Sequence, residues 1–248
     1  MSELAGKTAV ILGVGRNNIG FGIARRFTEA GARVVIAGRN TEALSALGRE
    51  IDALPVKCDI TLEDDLRALV AASIQHHGRI DVAVNAVGIN LVKETTAVTR
   101  AELERVTDVQ FVGTFLFLQA MVNAMAHGGS IIQISSVSAS ALMKDHAVYM
   151  ATKAAGDMLV RSIALDYGPK GIRANSLSPG GTLDAPMASA LMQDPAFVEE
   201  LRNRIPLRRV GTISDVADAA VWLASDRCFV TGENIQVNGG MALHRLRP

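Results

Sequence analysis

Continuous apolar runs alternate with helical periods along this chain. Thr8 to Leu12, between Gly6 and Gly13, has strand length and no polar alternation. A second run lies in ARVVIAGRN from Ala32, a third at Leu54 to Cys58 and a fourth at Ile80 to Val84. GGSIIQISS ends a fifth at Ser136, IRANSLSPGG from Ile172 holds a sixth, and NIQVNGG from Asn234 a last one. Helices are expected between them, from the glycine-rich turn to near Gly31, over Thr41 to Ile51, from about Thr61 to His77, from Arg100 to Ala126, from Ala147 to Tyr167, and over DVADAAVWLAS. In the Arg100 helix, Phe111, Phe115, Phe117 and Leu118 read as core or subunit-contact residues. In the Ala147 helix the buried face is expected to include Met158 and Leu165. Strands that are apolar throughout must be covered on both sides. The pattern therefore predicts an α/β, Rossmann-like doubly wound fold, a parallel sheet with helices on both faces. Thr182 to Arg209 is helical in parts and broken by prolines, and reads as a substrate lid over about residues 183–210. No linker or low-complexity tract interrupts the chain, so one domain over residues 1–248 is expected.

Composition narrows the function classes. With 49% hydrophobic and 20% charged residues, the chain has the balance of an ordinary globular protein. Lys plus Arg equals Asp plus Glu at 25 each, so nothing points to nucleic acid or to an anionic membrane surface. Cys58 and Cys228 are too few for a disulfide framework or zinc site and read as reduced thiols of a cytoplasmic protein. The start runs directly into strand-like sequence, with no signal peptide or long apolar helix.

The segment after the first strand, GVGRNNIGFG, is a glycine-rich turn leading into a helix. Backbone N–H groups and the helix dipole make such a place a phosphate site, with Gly13 forming the tight turn and Gly20 and Gly22 allowing close approach. A ligand-free glycine turn is the other reading. At the end of the second strand, where NAD-preferring folds carry an acid, stand Ala37, Gly38 and Arg39. The missing carboxylate and the guanidinium of Arg39, with Arg16 as a second charge, favour NADP(H), while NAD(H) stays open. Asp59 suits either the adenine amino group or a helix cap near Thr61. Asn85, Ala86 and Gly88 fall at the C-terminal edge of the sheet, where open α/β sheets bind ligands. Asn85 also suits a turn that ties strands together.

Ser136 ends the fifth strand at that same edge, and Tyr149 and Lys153 follow on the next helix. A tyrosine and a lysine four apart share a helix face. An ammonium beside the phenol would draw its pKa down from about 10 toward working pH, the range in which an acid–base group acts best. Ser136 could hydrogen-bond the reacting oxygen.

Taken together, the glycine turn, CDI at Cys58 to Ile60, NAVG at Asn85 to Gly88, ISS before YxxxK, SPGG at Ser178 to Gly181 and VTGENIQVNGG resemble the short-chain dehydrogenase/reductase family. The likeness covers nearly the whole chain. It implies a seven-stranded sheet in the order 3-2-1-4-5-6-7 and reversible hydride transfer between a nicotinamide cofactor and a carbonyl or alcohol. By that resemblance Ser136 orients the substrate oxygen, Tyr149 exchanges its proton, and Lys153 holds the ribose and depresses the tyrosine pKa. Gly13, Arg16, Asn18, Ile19 and Gly20 would face the phosphates, Asp59 and Ile60 the adenine, and Pro179, Gly180 and Thr182 the nicotinamide. Homotetramers packed through the two long helices and the last strand are also implied.

Three positions depart from the family pattern. The glycine turn is one residue longer, with Asn18 in the middle glycine's place and a left-handed backbone expected there. Gln110 replaces an asparagine that supports the proton relay behind the lysine. Thr182 comes early in the nicotinamide loop, with Ala185 near the usual threonine position. The substrate pocket is expected among residues 87–92, 138–146 and 181–192, with the C-terminal tail as a further wall. Met143, Leu142, Met187 and Met192 would form its apolar lining. Lys144 is a candidate for a polar or anionic group, and His146 is expected as an exposed loop residue.

Overall fold

In chain order the elements are β1 (Thr8–Leu12), α1 (Ile19–Glu29), β2 (Arg33–Gly38), α2 (Thr41–Ile51), β3 (Leu54–Lys57), α3 (Glu63–His77), β4 (Val82–Asn85), α4 (Arg100–Thr107), α5 (Gly113–Ala124), β5 (Gly129–Ile134), α6 (Ala147–Tyr167) and β6 (Ile172–Pro179). There follow α7 (Pro195–Arg204), α8 (Ile213–Ala224) and β7 (Asn234–Val237). The computed structural model describes residues 2–184 and 194–243. Met187, Met192, Ala185 and the tail from His244 lie outside the described residues, as does the middle of the expected lid.

All seven strands are parallel, in the order β3-β2-β1-β4-β5-β6-β7 that the resemblance implied. β1 and β4 are buried at every position because helices cover both faces. β3, at the edge, alternates half-buried and exposed. One apolar layer packs α1, α2 and α8 on the sheet, through Phe27, Leu47 and Val216. The other packs α3, α5 and α6, through Leu69, Phe117 and Val160. From β1 the chain first winds one way, to β2 and β3. It then crosses back to β4 on the other side of β1, so a crevice opens at the C-terminal ends of β1 and β4.

Two helices differ from expectation. The Arg100 segment is not one helix. α4 starts at a capping box made by Thr99 and Glu102, and a π-turn over Asp108–Val112 separates it from α5. The wide turn carries Gln110 inward, where it is buried. In α6 the buried face is Tyr149, Thr152, Lys153, Gly156, Val160 and Ala164. Met158 and Leu165 fall outside that stripe and are 60% and 78% exposed, so their expected burial is corrected. Phe117 and Leu118 are core, whereas Phe111 and Phe115 face solvent.

Candidate active site

The glycine turn is held together by Asn18. Its Oδ1 accepts from Phe21 N at 2.9 Å and Gly15 N at 3.2 Å, and its Nδ2 donates to Gly13 O at 2.8 Å. Asn18 is thus the side-chain cap of α1, with extended backbone (φ −119°, ψ 168°). The left-handed residue is its neighbour Asn17, at φ 56°, and this corrects the expectation for Asn18. Gly13 has φ 95°, and a Cβ there would stand 2.6 Å from the Ala86 carbonyl carbon and Val87 N. A Cβ on Gly20 would stand 2.7 Å from Gly13 O. Both contacts are with backbone, so only glycine lets β1, α1 and the end of β4 close together. The first turn of α1 carries no acid, which leaves its dipole to an anion.

A cleft of about 820 Å³ runs from this turn along the sheet edge. One end is lined by Arg39, Asp59 and Ile60, the middle by Gly13, Asn18, Ile19, Ala86 and Gly88, and the other end by Ser136, Tyr149, Lys153, Pro179, Gly180 and Thr182. This shape and order fit an elongated dinucleotide with an anionic middle. Arg39 lies close enough to Asp59 to help hold its carboxyl below the usual range, although burial works against this and hydrogen bonds from Thr61 contribute more. Asp59 Oδ1 takes those bonds, at 3.0 Å from Thr61 N and 2.8 Å from its hydroxyl. The residue therefore builds the turn before α3 as well as lining the cleft. Cys58 also lines the cleft, and burial pushes its thiol up to about 12.

Four expected site residues do not line the cleft. Arg16 is exposed and is not among the lining residues. Gly20 is covered by its own packing. Asn85 is buried; its Nδ2 donates to Thr114 Oγ1 and its Oδ1 accepts from Val87 N, so it closes the turn after β4 and ties that strand to α5 and not to another strand. Gln110 bridges two elements, donating to Thr152 Oγ1 at 2.7 Å and accepting from Ile89 N at 3.3 Å. It couples α6 to the loop after β4 and makes no bond to Lys153 among the described residues.

Ser136, Tyr149 and Lys153 converge. The Ser136 hydroxyl hydrogen-bonds the Tyr149 phenol and sits 2.8 Å from Ser138 Oγ. Ser178 Oγ donates to the Ser136 carbonyl at 3.1 Å, which fixes β5 to β6 beside the site. Lys153 Nζ lies 5.8 Å from the centre of the Tyr149 ring and donates to Ile134 O at 2.8 Å. Burial pushes the Tyr149 phenol up, and the bond from Ser136 pulls it back only in part. The depression expected from Lys153 is thus not the direction in this protein by itself, because desolvation dominates. Burial also draws the Lys153 ammonium down to about 8, opposed by Asp157.

Beyond Tyr149 the cleft is walled by Ile89, Asn90, Val92, Ser138, Met143, His146, Phe197, Leu201 and Met241. His146 is part of this wall and not a bystander. One ring nitrogen, Nδ1, lies 2.6 Å from Lys144 O, an acceptor, so it carries the proton and Nε2 is the acceptor of the neutral ring. Leu142 and Lys144 are exposed and outside the lining. Phe197 and Leu201 lie in the segment expected as a lid, and Met241 in the C-terminal stretch expected as a further wall, although none of the three was singled out by itself. They share a small apolar cluster with Ile205 and Val210.

Known proteins match across nearly the whole length. A family model described as enoyl-(acyl carrier protein) reductase fits residues 13–242. L-fucose dehydrogenase of Oryctolagus cuniculus is 36% identical over 98% of this chain and 87% of its own. The 3beta-hydroxysteroid dehydrogenase 1 of Eggerthella lenta is 33% identical over 98% of this chain and 96% of its own. The solved structure of a gluconate 5-dehydrogenase from Burkholderia cenocepacia, in complex with NADP and tartrate, superposes with a TM-score of 0.90 at 34% identity and covers 96% of each chain. The sheet order, the glycine cradle at the β1–β4 crevice and these likenesses agree: the chain is an oxidoreductase that belongs to the short-chain dehydrogenase/reductase family.

Proposed function

We propose that this protein interconverts a secondary alcohol and its carbonyl with NADP(H), using Tyr149 as the acid and base. The observation that carries the reading is the convergence of Ser136 and Lys153 on Tyr149 at the far end of the dinucleotide-shaped cleft. A nicotinamide dinucleotide supplies the hydride chemistry when bound. Ser136 then holds the substrate oxygen next to the phenol. Tyr149, which burial pushes further toward its protonated form, is set to give a proton to an oxygen that gains negative charge in reduction. In oxidation the proton returns to it. Lys153 stabilises the phenolate and is positioned for the cofactor ribose, with Gln110 fixing α6 through Thr152.

Gly13, Asn18 and Ile19 fit the pyrophosphate, Asp59 and Ile60 the adenine side, and Pro179, Gly180 and Thr182 the carboxamide side. Arg39 and the missing acid after β2 support NADP(H); NAD(H) is the alternative. An olefin-reducing activity like that of the matched family description fits less well, because three residues separate Tyr149 from Lys153 and Ser136 bonds the phenol. Relatives are named for sugars, a sugar acid and a steroid. The lining supports a substrate with an apolar body and further hydroxyls, met by Asn90, Ser138 and His146.

The lid reading for residues 183–210 is supported at its ends: Leu183 N donates to Gly211 O, and Ile213 N to Asp184 Oδ1 at 2.9 Å. A cytoplasmic setting is supported by two buried, unpaired thiols. No helix among the described residues is long and apolar enough to cross a membrane. Tyr149→Phe tests the mechanism. Turnover on any accepted alcohol, followed at the nicotinamide absorbance, is expected to fall by about three orders of magnitude while NADPH still binds, since loss of a general acid costs roughly 10²- to 10⁴-fold. Unchanged turnover would remove Tyr149 from the mechanism.

A further inference from the structure

One turn beyond Lys153, on the same buried face of α6, lies a carboxylate that the mechanism does not use. Asp157 Oδ2 accepts a hydrogen bond of 2.6 Å from Asn234 Nδ2, at the start of β7. Its Oδ1 is shut away from solvent, as are the hydroxyls of Ser135 and Ser176, and none of these three oxygens has a partner of full hydrogen-bond geometry among the described residues. Both hydroxyls lie near enough to favour the charged carboxylate, and rotation of their O–H bonds turns them to it. Ser135 directly follows β5 and directly precedes Ser136. Ser176 sits on β6, in register with Gln133 of β5 and Asn234 of β7. The carboxylate therefore joins α6 to β7 through Asn234, and the hydroxyls of Ser135, just after β5, and Ser176, on β6, flank its other oxygen.

A carboxylate taken out of water is costly unless it is bonded and balanced by charge. Asn234 supplies a hydrogen bond, and the two serine hydroxyls stand close enough to turn toward the carboxylate. The charge balance comes from Lys153, whose ammonium is itself buried and bonded to the Ile134 carbonyl alone among the described residues. From β5, β6 and β7 only neutral groups face Asp157, so Lys153 on its own helix is the one charge that acts on it among the described residues. Each charge favours the other: Asp157 raises Lys153, and Lys153 lowers Asp157, while burial pushes both toward their neutral forms.

We propose that Asp157 is the counter-charge and positioning residue of Lys153: it keeps the ammonium protonated at working pH and locks α6 in register with Ser135–Ser136. It touches neither substrate nor cofactor and acts through Lys153. The inference rests on the proposed role of Lys153, but its direct test needs no turnover. With lysine side chains labelled at Cε, the Lys153 signal is assigned by its absence in Lys153→Arg, and its titration is followed by NMR in the wild type and in Asp157→Asn. The Asn side chain keeps the shape and removes the charge. The Lys153 midpoint is expected to fall by roughly one pH unit, the smaller end of what a nearby opposite charge contributes. A midpoint that does not move in a folded variant overturns the proposal.

Should Asp157→Asn fail to fold, the native protein decides. Labelled at Cγ, the Asp157 carboxyl must be ionised throughout the range in which Lys153 titrates, and a protonated carboxyl at pH 7 overturns the proposal as surely. On an accepted substrate, the alkaline limb of kcat is expected to move down with the Lys153 midpoint, with little change in KM. A purely structural residue would lower the melting temperature without moving that limb. Absence of turnover in the wild type would count against the proposed activity and leave the NMR result standing.

Discussion

Arg39 stands where the end of β2 would place an acid in an NAD-preferring fold, and it lines the cleft beside Asp59. A guanidinium there offers paired donors to a 2′-phosphate, a charge-assisted contact of about 1.5–3 kcal/mol. Arg39→Ala is therefore expected to weaken NADPH binding roughly ten- to a hundredfold and to leave NADH within about twofold, measured by nucleotide fluorescence titration. An unchanged preference would give the selection to another group and favour the NAD(H) reading. Arg16 is exposed and outside the lining, and is expected to contribute little beyond long-range charge. The Asn17–Asn18 pair shows how neighbours of one residue type divide a task. Asn17 takes the left-handed backbone, and Asn18 uses its amide to close the turn and cap α1.

α1 and α8 pack so closely that a Cβ on Gly22 would stand 2.0 Å from Cγ2 of Ile213. Ile213 is β-branched and cannot swing that methyl away freely. Gly22→Ala is expected to destabilise the protein by about 1–3 kcal/mol despite the better helix propensity of alanine, as overpacking does. Adding Ile213→Ala should recover much of the loss; thermal or urea unfolding of both variants measures the coupling, and additive effects would refute the clash. Nothing in the sequence singled out this contact, although it singled out Gly22. What was legible came from local pattern. The strands were readable because burial on both faces makes them apolar throughout, as in Val82–Asn85. Ser136, Tyr149 and Lys153 were readable because helix geometry and the family spacing fix them. What was not legible depends on tertiary partners. Gln110 could be placed in a helix but not in a π-turn. Met158 and Leu165 looked as apolar as a core stripe. His146 lines the cleft with its ring bonded to the Lys144 carbonyl, a contact that no local pattern announces.

Exposed apolar residues bear on assembly. Phe111, Phe115, Met158 and Leu165 leave apolar side chains in solvent from the π-turn, α5 and α6, which cover the same face of the sheet. Trp222 on α8 and Phe229 before β7 do the same near the last strand, Phe229 being fully exposed. Large apolar side chains left in solvent on one set of elements are what an interface between copies would cover. A closed tetramer with two-fold axes needs two separate self-complementary faces, and the two groups belong to different sets of elements. The protein is expected to sediment as a tetramer at micromolar concentration. Phe115→Asp combined with Leu165→Asp should remove one face and leave a dimer, while Phe229→Asp should act on the other; all three together should give a monomer. Sedimentation velocity separates these species, and wild-type protein that runs as a monomer would refute both faces at once. The active-site residues of each copy lie inside its own sheet edge, so the dimer should keep its cofactor affinity. Any loss of turnover on dissociation would then be traced through α5 and α6, which carry the exposed apolar residues on one side and Thr114, Thr152 and Lys153 on the other.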